Sequence, residues 1–434
     1  MKETVVSSDS ETGEKAPRAF LVGIRDEKMS RDEADSLVKE FSSLACTLGL
    51  DVVLEEMVHV RGKSARYGMG SGKAEELAQK AASLKVDCII FDQDIGPSQQ
   101  RNWEEIPACK DSGISVIDRQ ELIIQIFASR ALTKEAELQV KLAETVYSLP
   151  RLQHKYIDLS RQRGGRYGTK GSGETLLETE RRRLEQRIHR LEEELEEVKQ
   201  QRQVQRKQRE KQGVPICALV GYTNSGKSSI MNALTGAGVL VEDKLFATLD
   251  STFRRLELPQ GMQVLLVDTV GFIRRLPHSL INAFRSTLEE VLLADVLLHI
   301  VDAGSPDADK QYETTVSLLR DLGAENIPAI TVLNKIDLLE AHESEAALKR
   351  FPDSFAVSAL DGRGLSGLCE RIETLLSKAS TRFRFPPDRT DLAALLHRSG
   401  KVISENYAGD FIEMEARVDE RISGKLKEYQ INEE

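Results

Sequence analysis

The chain has 434 residues, enough for two to four domains with cores of their own. Its formal net charge of −10 excludes a bulk polycation, so any nucleic-acid contact must come from local basic segments. Five cysteines without a C-x-x-C pair argue against a disulfide framework or a zinc ribbon and fit a reducing cytosol, and no apolar run approaches the roughly 18 residues that a bilayer span needs.

Residues 1–18 are polar and charged, lack an apolar signal core, and read as a disordered tail on a cytoplasmic protein. Strand and helix patterns then alternate. Strands are expected at 19–24, 51–58, 86–92 and 114–117, and helices at 32–48, at 73–83 and after 117. Residues 19–130 therefore read as a small α/β domain.

A charged helical region follows over 131–212. Residues 132–149 carry helical periodicity, and after a basic, Gly-rich gap the helix resumes near Thr175. Leu177, Leu184, Ile188, Leu191, Leu195 and Val198 fall on heptad spacing. The stripe is short and a partner helix lies just upstream, so an antiparallel hairpin within a monomer is expected rather than a dimeric coiled coil. Residues 199–212 read as a helix tail or linker. Pro215 opens a third region, 213–380, of alternating strands and helices with a mainly parallel sheet. Phe385-Pro386-Pro387 marks the next boundary. Residues 381–434, with a helix at 392–397 and a strand at 411–418, make a small α+β domain. The class is thus α/β multidomain.

The third region carries the chemistry. A buried-strand pattern at 216–220 leads into Gly221-Tyr222-Thr223-Asn224-Ser225-Gly226-Lys227-Ser228, followed by an amphipathic helix. This is G-x-x-x-x-G-K-[ST] in its required strand-to-helix context. Glycines allow close backbone approach, so successive N–H groups can surround phosphates at a helix N-terminus. Lys227 reaches toward the β- and γ-phosphates, and the Ser228 hydroxyl suits Mg²⁺.

The choice of base falls to Asn334-Lys335-Ile336-Asp337, after a strand at 330–333. A carboxylate at Asp337 can accept from guanine N1–H and the 2-amino group, whereas adenine would leave it desolvated and unpaired. Asp268-Thr269-Val270-Gly271 follows a strand at 264–267. There Asp268 suits Mg²⁺ through water, and the Gly271 N–H suits the γ-phosphate. Phe246-Ala247-Thr248-Leu249-Asp250 sits where a switch threonine belongs, making Thr248 the candidate second Mg²⁺ ligand. Ser358-Ala359-Leu360 suits a backbone contact to the base. Lys227, Thr248 and Gly271 are the expected catalytic set.

These five elements, in this order, resemble the TRAFAC GTPases. Residues 244–250 and the run Asp268 through His278 closely resemble the HflX family within the OBG-HflX-like superfamily, as do Gln99-Gln100-Arg101-Asn102, residues 117–131 and residues 164–174. The resemblance extends over nearly everything from residue 20 onward. Ser172 departs from a usual proline, and Tyr167 from a usual isoleucine.

The resemblance implies a GTPase on the large (50S) ribosomal subunit, serving rescue, splitting or recycling, with the N-terminal domain reaching ribosomal RNA. Phe272 occupies the place of the water-orienting glutamine of Ras-like GTPases, which implies slow hydrolysis alone and stimulation by a partner. Asn224 occupies a position that accompanies K⁺ dependence in several related GTPases; a loop-capping asparagine is the plain alternative.

Two basic, Gly-containing segments are candidates for RNA. One holds Arg61, Lys63, Arg66, Tyr67 and Lys73; the other holds Arg151, Lys155, Arg161, Arg163, Arg166, Tyr167 and Lys170. Three alternatives stay open at this point: a ribosome-assembly GTPase, a nucleotide-gated RNA-binding or remodelling module, and a signalling switch without RNA.

Overall fold

A computed structural model describes residues 15–27, 29–60, 62, 64–162, 172–212, 214–236, 245–275, 285–376, 381–409, 411–418 and 420–431. The chain divides into two compact units. The first takes the described residues within 1–205, 242–250 and 275–286; the second takes those within 206–241, 251–274 and 287–434.

The first unit is built on a four-stranded parallel sheet in the order β2-β1-β3-β4, with β1 at Arg18–Arg25, β2 at Asp51–His59, β3 at Cys88–Phe91 and β4 at Ser115–Asp118. Helix α1 (Arg31–Thr47) begins where the Ser30 hydroxyl accepts the Glu33 N–H at 3.1 Å, and it buries Ala34, Leu37, Phe41, Leu44 and Ala45 at helical spacing. Helices α2 (Ser71–Ser83), α3 (Pro97–Glu104), α4 (Pro107–Ser112) and α5 (Arg119–Arg130) follow. Phe20, Val22, Leu77, Ile89, Phe91, Trp103 and Val116 lie in one core cluster. The Asp118 carboxylate caps α5 by accepting the Glu121 N–H at 2.9 Å.

Helix α6 runs over Lys134–Gln162, straight through Pro150, so the expected end at 149 is too early. The Arg151 guanidinium, just past that proline, donates to the Ile95 carbonyl, the Gln100 side chain and Asp118 at 2.9, 2.9 and 3.1 Å. These bonds hold the turn after a residue that supplies no N–H. Helix α7 occupies Ser172–Gln212, so of the two readings of 199–212, helix tail or linker, the helix tail holds. Leu138 and Leu142, early in α6, pack with Leu191, Leu195 and Val198, late in α7, and Arg202 pairs with Glu135 at 3.0 Å.

The second unit contains a six-stranded sheet in the order β10-β9-β8-β5-β7-β6. Its strands are β5 Ile216–Gly221, β6 Thr252–Glu257, β7 Gln263–Asp268, β8 Val296–Asp302, β9 Ala329–Asn334 and β10 Phe355–Ala356. Only the edge strand β6 is antiparallel. Helices α8 (Lys227–Thr235), α9 (Ala308–Asp321), α10 (Ala341–Arg350) and α11 (Leu365–Leu376) accompany it. Cys217, Leu219, Ile230, Leu266, Leu298, Val332, Leu368 and Ile372 share its core.

Beyond that sheet lies a small antiparallel one in the order β12-β13-β11-β14: β11 Thr381–Phe385, β12 Gly400–Ala408, β13 Phe411–Val418 and β14 Gln430–Ile431. Helix α12 (Thr390–Ser399) closes a separate core with Phe383, Phe385, Leu396, Ile412 and Met414. The protein is therefore a mixed α/β multidomain chain. No helix among the described residues is long and apolar enough to cross a membrane.

Candidate functional site

Strand β5 lies between β7 and β8, so its carboxyl end is flanked by the ends of two parallel neighbours, where open α/β sheets receive ligands. Gly221 ends it at φ 149°, and a Cβ there would lie 2.3 Å from the Ile300 carbonyl oxygen. Gly226, at φ 92°, has its imaginary Cβ 2.2 Å from the Asn334 amide nitrogen. Side chains at either position would push apart the strand ends that carry the site.

Lys227 opens α8, is buried, and donates from Nζ to the Tyr222 and Gly221 carbonyls at 2.8 and 3.2 Å. Burial pushes its ammonium down to about 8, with nearby Asp268 opposing that shift. The Ser228 hydroxyl donates to the Asp268 carboxylate at 2.5 Å. The sequence-chosen oxygens at the end of β7 and in the first turn of α8 therefore meet, and hard oxygens of this kind fit Mg²⁺. Ser225 Oγ is buried without a hydrogen-bond partner among the described residues.

In the segment after β7, Val270 and Phe272 are buried, and the Thr269 hydroxyl is used structurally, donating to the Leu219 carbonyl at 2.7 Å. Gly271 packs so closely that a Cβ would lie 2.6 Å from Thr223 Cα and 2.9 Å from Lys227 Nζ. Its neighbourhood to Lys227 is the arrangement a γ-phosphate donor requires.

Residues that follow β9 brace the phosphate loop. Asn334 donates from its side chain to the Ser225 carbonyl at 3.0 Å, and Lys335 Nζ donates to the Asn224 carbonyl at 2.9 Å while pairing with Asp302 at 2.8 Å. Asn224 itself takes a left-handed φ of 59°. The Asn334 side-chain Oδ1 accepts the Ala359 N–H at 3.2 Å, and the Ser358 hydroxyl donates to Asp337 at 2.7 Å. Ile336 N–H reaches the Val357 carbonyl at 3.4 Å, and Leu360 is exposed. The second unit thus brings together Gly221 through Ser228, Asp268 through Gly271, Asn334 through Asp337, and Ser358 through Leu360.

Phe246, Ala247, Thr248, Leu249 and Asp250 fall in the first unit. Phe246 is buried with its ring 4.8 Å from that of Phe127, edge to face. Leu249 is buried, and Ala247 is exposed. Asp250 accepts from the Leu132 and Thr133 N–H groups at 3.1 and 3.2 Å and from the Thr133 hydroxyl. Arg275, also of the first unit, donates to Asp92 at 2.9 Å.

Of the RNA candidates, Arg61, Lys63, Arg163, Arg166, Tyr167 and Lys170 lie outside the described residues, and for Lys155 and Arg161 only their place in α6 is given. Two expectations are corrected. Tyr67 is a core residue, buried edge to face against Trp103 at 5.8 Å, because an aromatic ring gains more from that packing than from solvent. Arg151 is engaged by Asp118 and the carbonyls of its own unit. Lys73 pairs with Glu56 and Glu76 at 2.8 and 2.9 Å.

Sequence reasoning missed the charge cluster at the strand ends of the first unit. Arg119, buried, bonds Asp92 at 2.6 Å and Glu40 at 2.5 Å. Beside it, the Tyr147 hydroxyl bonds Asp118 at 3.0 Å and Glu121 at 3.1 Å. A charged residue directly after a buried strand pattern was the available signal.

Comparison with known proteins agrees over most of the chain. Residues 35–128 match a family described as "GTP-binding GTPase N-terminal", 130–209 "GTP-binding GTPase Middle Region", and 216–335 "50S ribosome-binding GTPase". A protein named GTPase HflX from Akkermansia muciniphila is 41% identical, covering 96% of this chain and 98% of its own. One of the same name from Caldanaerobacter subterraneus subsp. tengcongensis is 42% identical, covering 96% and 94%. The Escherichia coli K12 protein of that name is 37% identical, covering 83% and 84%. With relatives of this extent, the chain belongs to the HflX family of GTPases and is a GTP hydrolase.

Proposed function

We propose that the chain is a GTPase gated by the large ribosomal subunit, slow alone and accelerated on the ribosome, acting in rescue, splitting or recycling. The observation that carries the gating is Phe272. It follows Gly271 directly, is 2% exposed, and offers no side-chain group that could orient water. A partner that completes the site can matter by roughly 10³ to 10⁵ in phosphoryl transfer. The description "50S ribosome-binding GTPase" for the family matching residues 216–335 supports the choice of partner.

In this reading the N–H groups after Gly221 hold the phosphates, Lys227 neutralises their developing charge, and the Gly271 N–H meets the γ-phosphate. Asp337, oriented by the Ser358 hydroxyl, accepts from the guanine edge. Ser228 and, through water, Asp268 would hold Mg²⁺, with Thr248 as the further ligand; the ion would supply neutralisation of the phosphate charge. K⁺ beside Asn224 is a second ion in the same proposal. Regions 19–130, 131–212, 213–380 and 381–434 serve as N-terminal, helical, GTPase and C-terminal parts of a cytoplasmic monomer, with Arg161, Arg163, Arg166, Tyr167 and Lys170 toward ribosomal RNA.

The test is co-sedimentation with purified large subunits in GDP and in a non-hydrolysable GTP analogue, with turnover measured in parallel. Tighter binding with the analogue and faster turnover on subunits are expected. Equal turnover with and without subunits would refute the gating.

A further inference from the structure

In the motif, the residue after Gly221 is a spacer. The structure gives its side chain a specific partner. Tyr222 is 4% exposed, and its hydroxyl accepts the backbone N–H of Arg274 at 2.7 Å. Its backbone also forms a parallel bridge with Phe272. The Phe272 N–H donates to the Gly221 carbonyl at 3.0 Å, and the Thr223 N–H donates to the Phe272 carbonyl at 2.7 Å. Three hydrogen bonds therefore stitch residues 221–223 to residues 272–274.

The stitched stretch has a defined end. Phe272 and Ile273 are buried. Arg275 then takes a left-handed φ of 54°, a strained angle for a side-chain-bearing residue, and it belongs to the other compact unit. Arg274 is the last residue of this stretch in the second unit, and its N–H is the one the Tyr222 hydroxyl holds.

Gly271 sits one residue before the bridge, packed against Thr223 and Lys227 without room for a Cβ. A hydrogen-bond donor to a transferring phosphoryl group is useful only while held where charge develops, and an ångström of drift is costly. The Tyr222 hydroxyl is well placed to prevent that drift, because it fixes the far side of the bridge from Gly271.

We propose that Tyr222 is a positioning residue for GTP hydrolysis: its hydroxyl clamps Arg274, so the segment carrying Gly271 stays docked on the phosphate loop. This rests on the role proposed above for Gly271. The phenol touches no phosphate; it acts through the backbone.

The experiment compares Tyr222→Phe with the full-length parent in GTP turnover, GDP binding and amide exchange. Phenylalanine keeps the buried ring and deletes only the hydroxyl. One lost hydrogen bond predicts a fall in kcat of about tenfold. KM and the GDP Kd should stay within twofold, and amides 272–274 should exchange faster. Incorporating 3-fluorotyrosine at 222, which retains the hydroxyl, should restore kcat. An unchanged kcat in Tyr222→Phe overturns the proposal, as does an equal loss of GDP affinity, which would mark damage to the loop as a whole. Gly271→Ala in the same assay separates the two readings. If it turns over normally, the role of Gly271 falls and that of Tyr222 with it. If it is inactive while Tyr222→Phe is normal, only the inference about Tyr222 fails.

Discussion

Two parallel sheets in this molecule end in opposite ways. In the first unit, strands β3 and β4 deliver Asp92 and Asp118 at their carboxyl ends, and arginines fill the space around them. In the second, β5, β7 and β9 deliver Gly221, Asp268 and Asn334, and the space is left to glycine backbone and small hydroxyls. The topological position is shared, yet the acid is held differently. Asp92 and Asp118 are met by guanidinium groups of their own unit, whereas Asp268 meets the Ser228 hydroxyl.

The sharpest break of this contrast is Asp337→Ala. Removing the carboxylate proposed to read guanine should cost GTP affinity about 10⁴-fold and erase discrimination against other purine nucleotides. Competition binding with GTP and ATP checks it, and retained guanine preference would move base reading elsewhere.

Arg119→Ala tests the sealed end. It leaves Asp92 and Glu40 buried with a shared charge removed, so the chain should lose about 3–5 kcal/mol on denaturant unfolding. GDP affinity of the folded fraction should be unaffected. A milder loss would mean that Arg275 alone can satisfy Asp92.

Glu121, in the same cluster, makes the comparison depend on pH. Burial pushes its carboxyl up to about 7, with the Tyr147 hydroxyl opposing. An unfolded chain ionises this group near its ordinary 4.5, the folded chain only near 7. Between those values the unfolded state binds fewer protons, so stability falls as pH rises through that window. Glu121→Gln, which can still accept from Tyr147, should therefore raise Tm at pH 8 by an amount equivalent to about 1–2 kcal/mol and change little at pH 4.5. A constant difference across pH would contradict this.

The smallest expected effect lies at the start of α6. The Thr133 hydroxyl accepts the Ala136 N–H at 3.2 Å and donates to Asp250. Thr133→Val should cost about 1 kcal/mol in thermal unfolding, since a helix cap is lost. A neutral result would mean that Asp250 alone caps α6 through the Leu132 and Thr133 amides.

What could be read in advance follows the same division. The phosphate loop, Asp268 and Asn334 through Asp337 were legible because each is a contiguous run whose chemistry needs those residue types at that spacing. The alternation of strands and helices also marked the four strands of the first sheet and, in the second, β5, β7 and β9, but not β6 or β8. The sealed cluster was not legible: Arg119 meets Asp92 across 27 residues and Glu40 across 79, and no local pattern announces such pairs. Tyr67 and Arg151 were misplaced on the surface because a tyrosine or an arginine near glycines looks alike whether it faces water or Trp103 and Asp118. The continuation of α6 past Pro150 was hidden as well, since the bonds of Arg151 are tertiary and a proline by itself argues for a stop.

The Asn334 and Lys335 side chains hold the carbonyls of Ser225 and Asn224, so the segments proposed to recognise the base and to grip the phosphates share one frame. Guanosine and pyrophosphate offered as separate fragments should therefore each bind more weakly than their shares of GDP, because each must order the frame alone. The intact nucleotide meets that ordering cost a single time, and a wrong base should loosen the hold on a phosphate chain that is chemically unchanged.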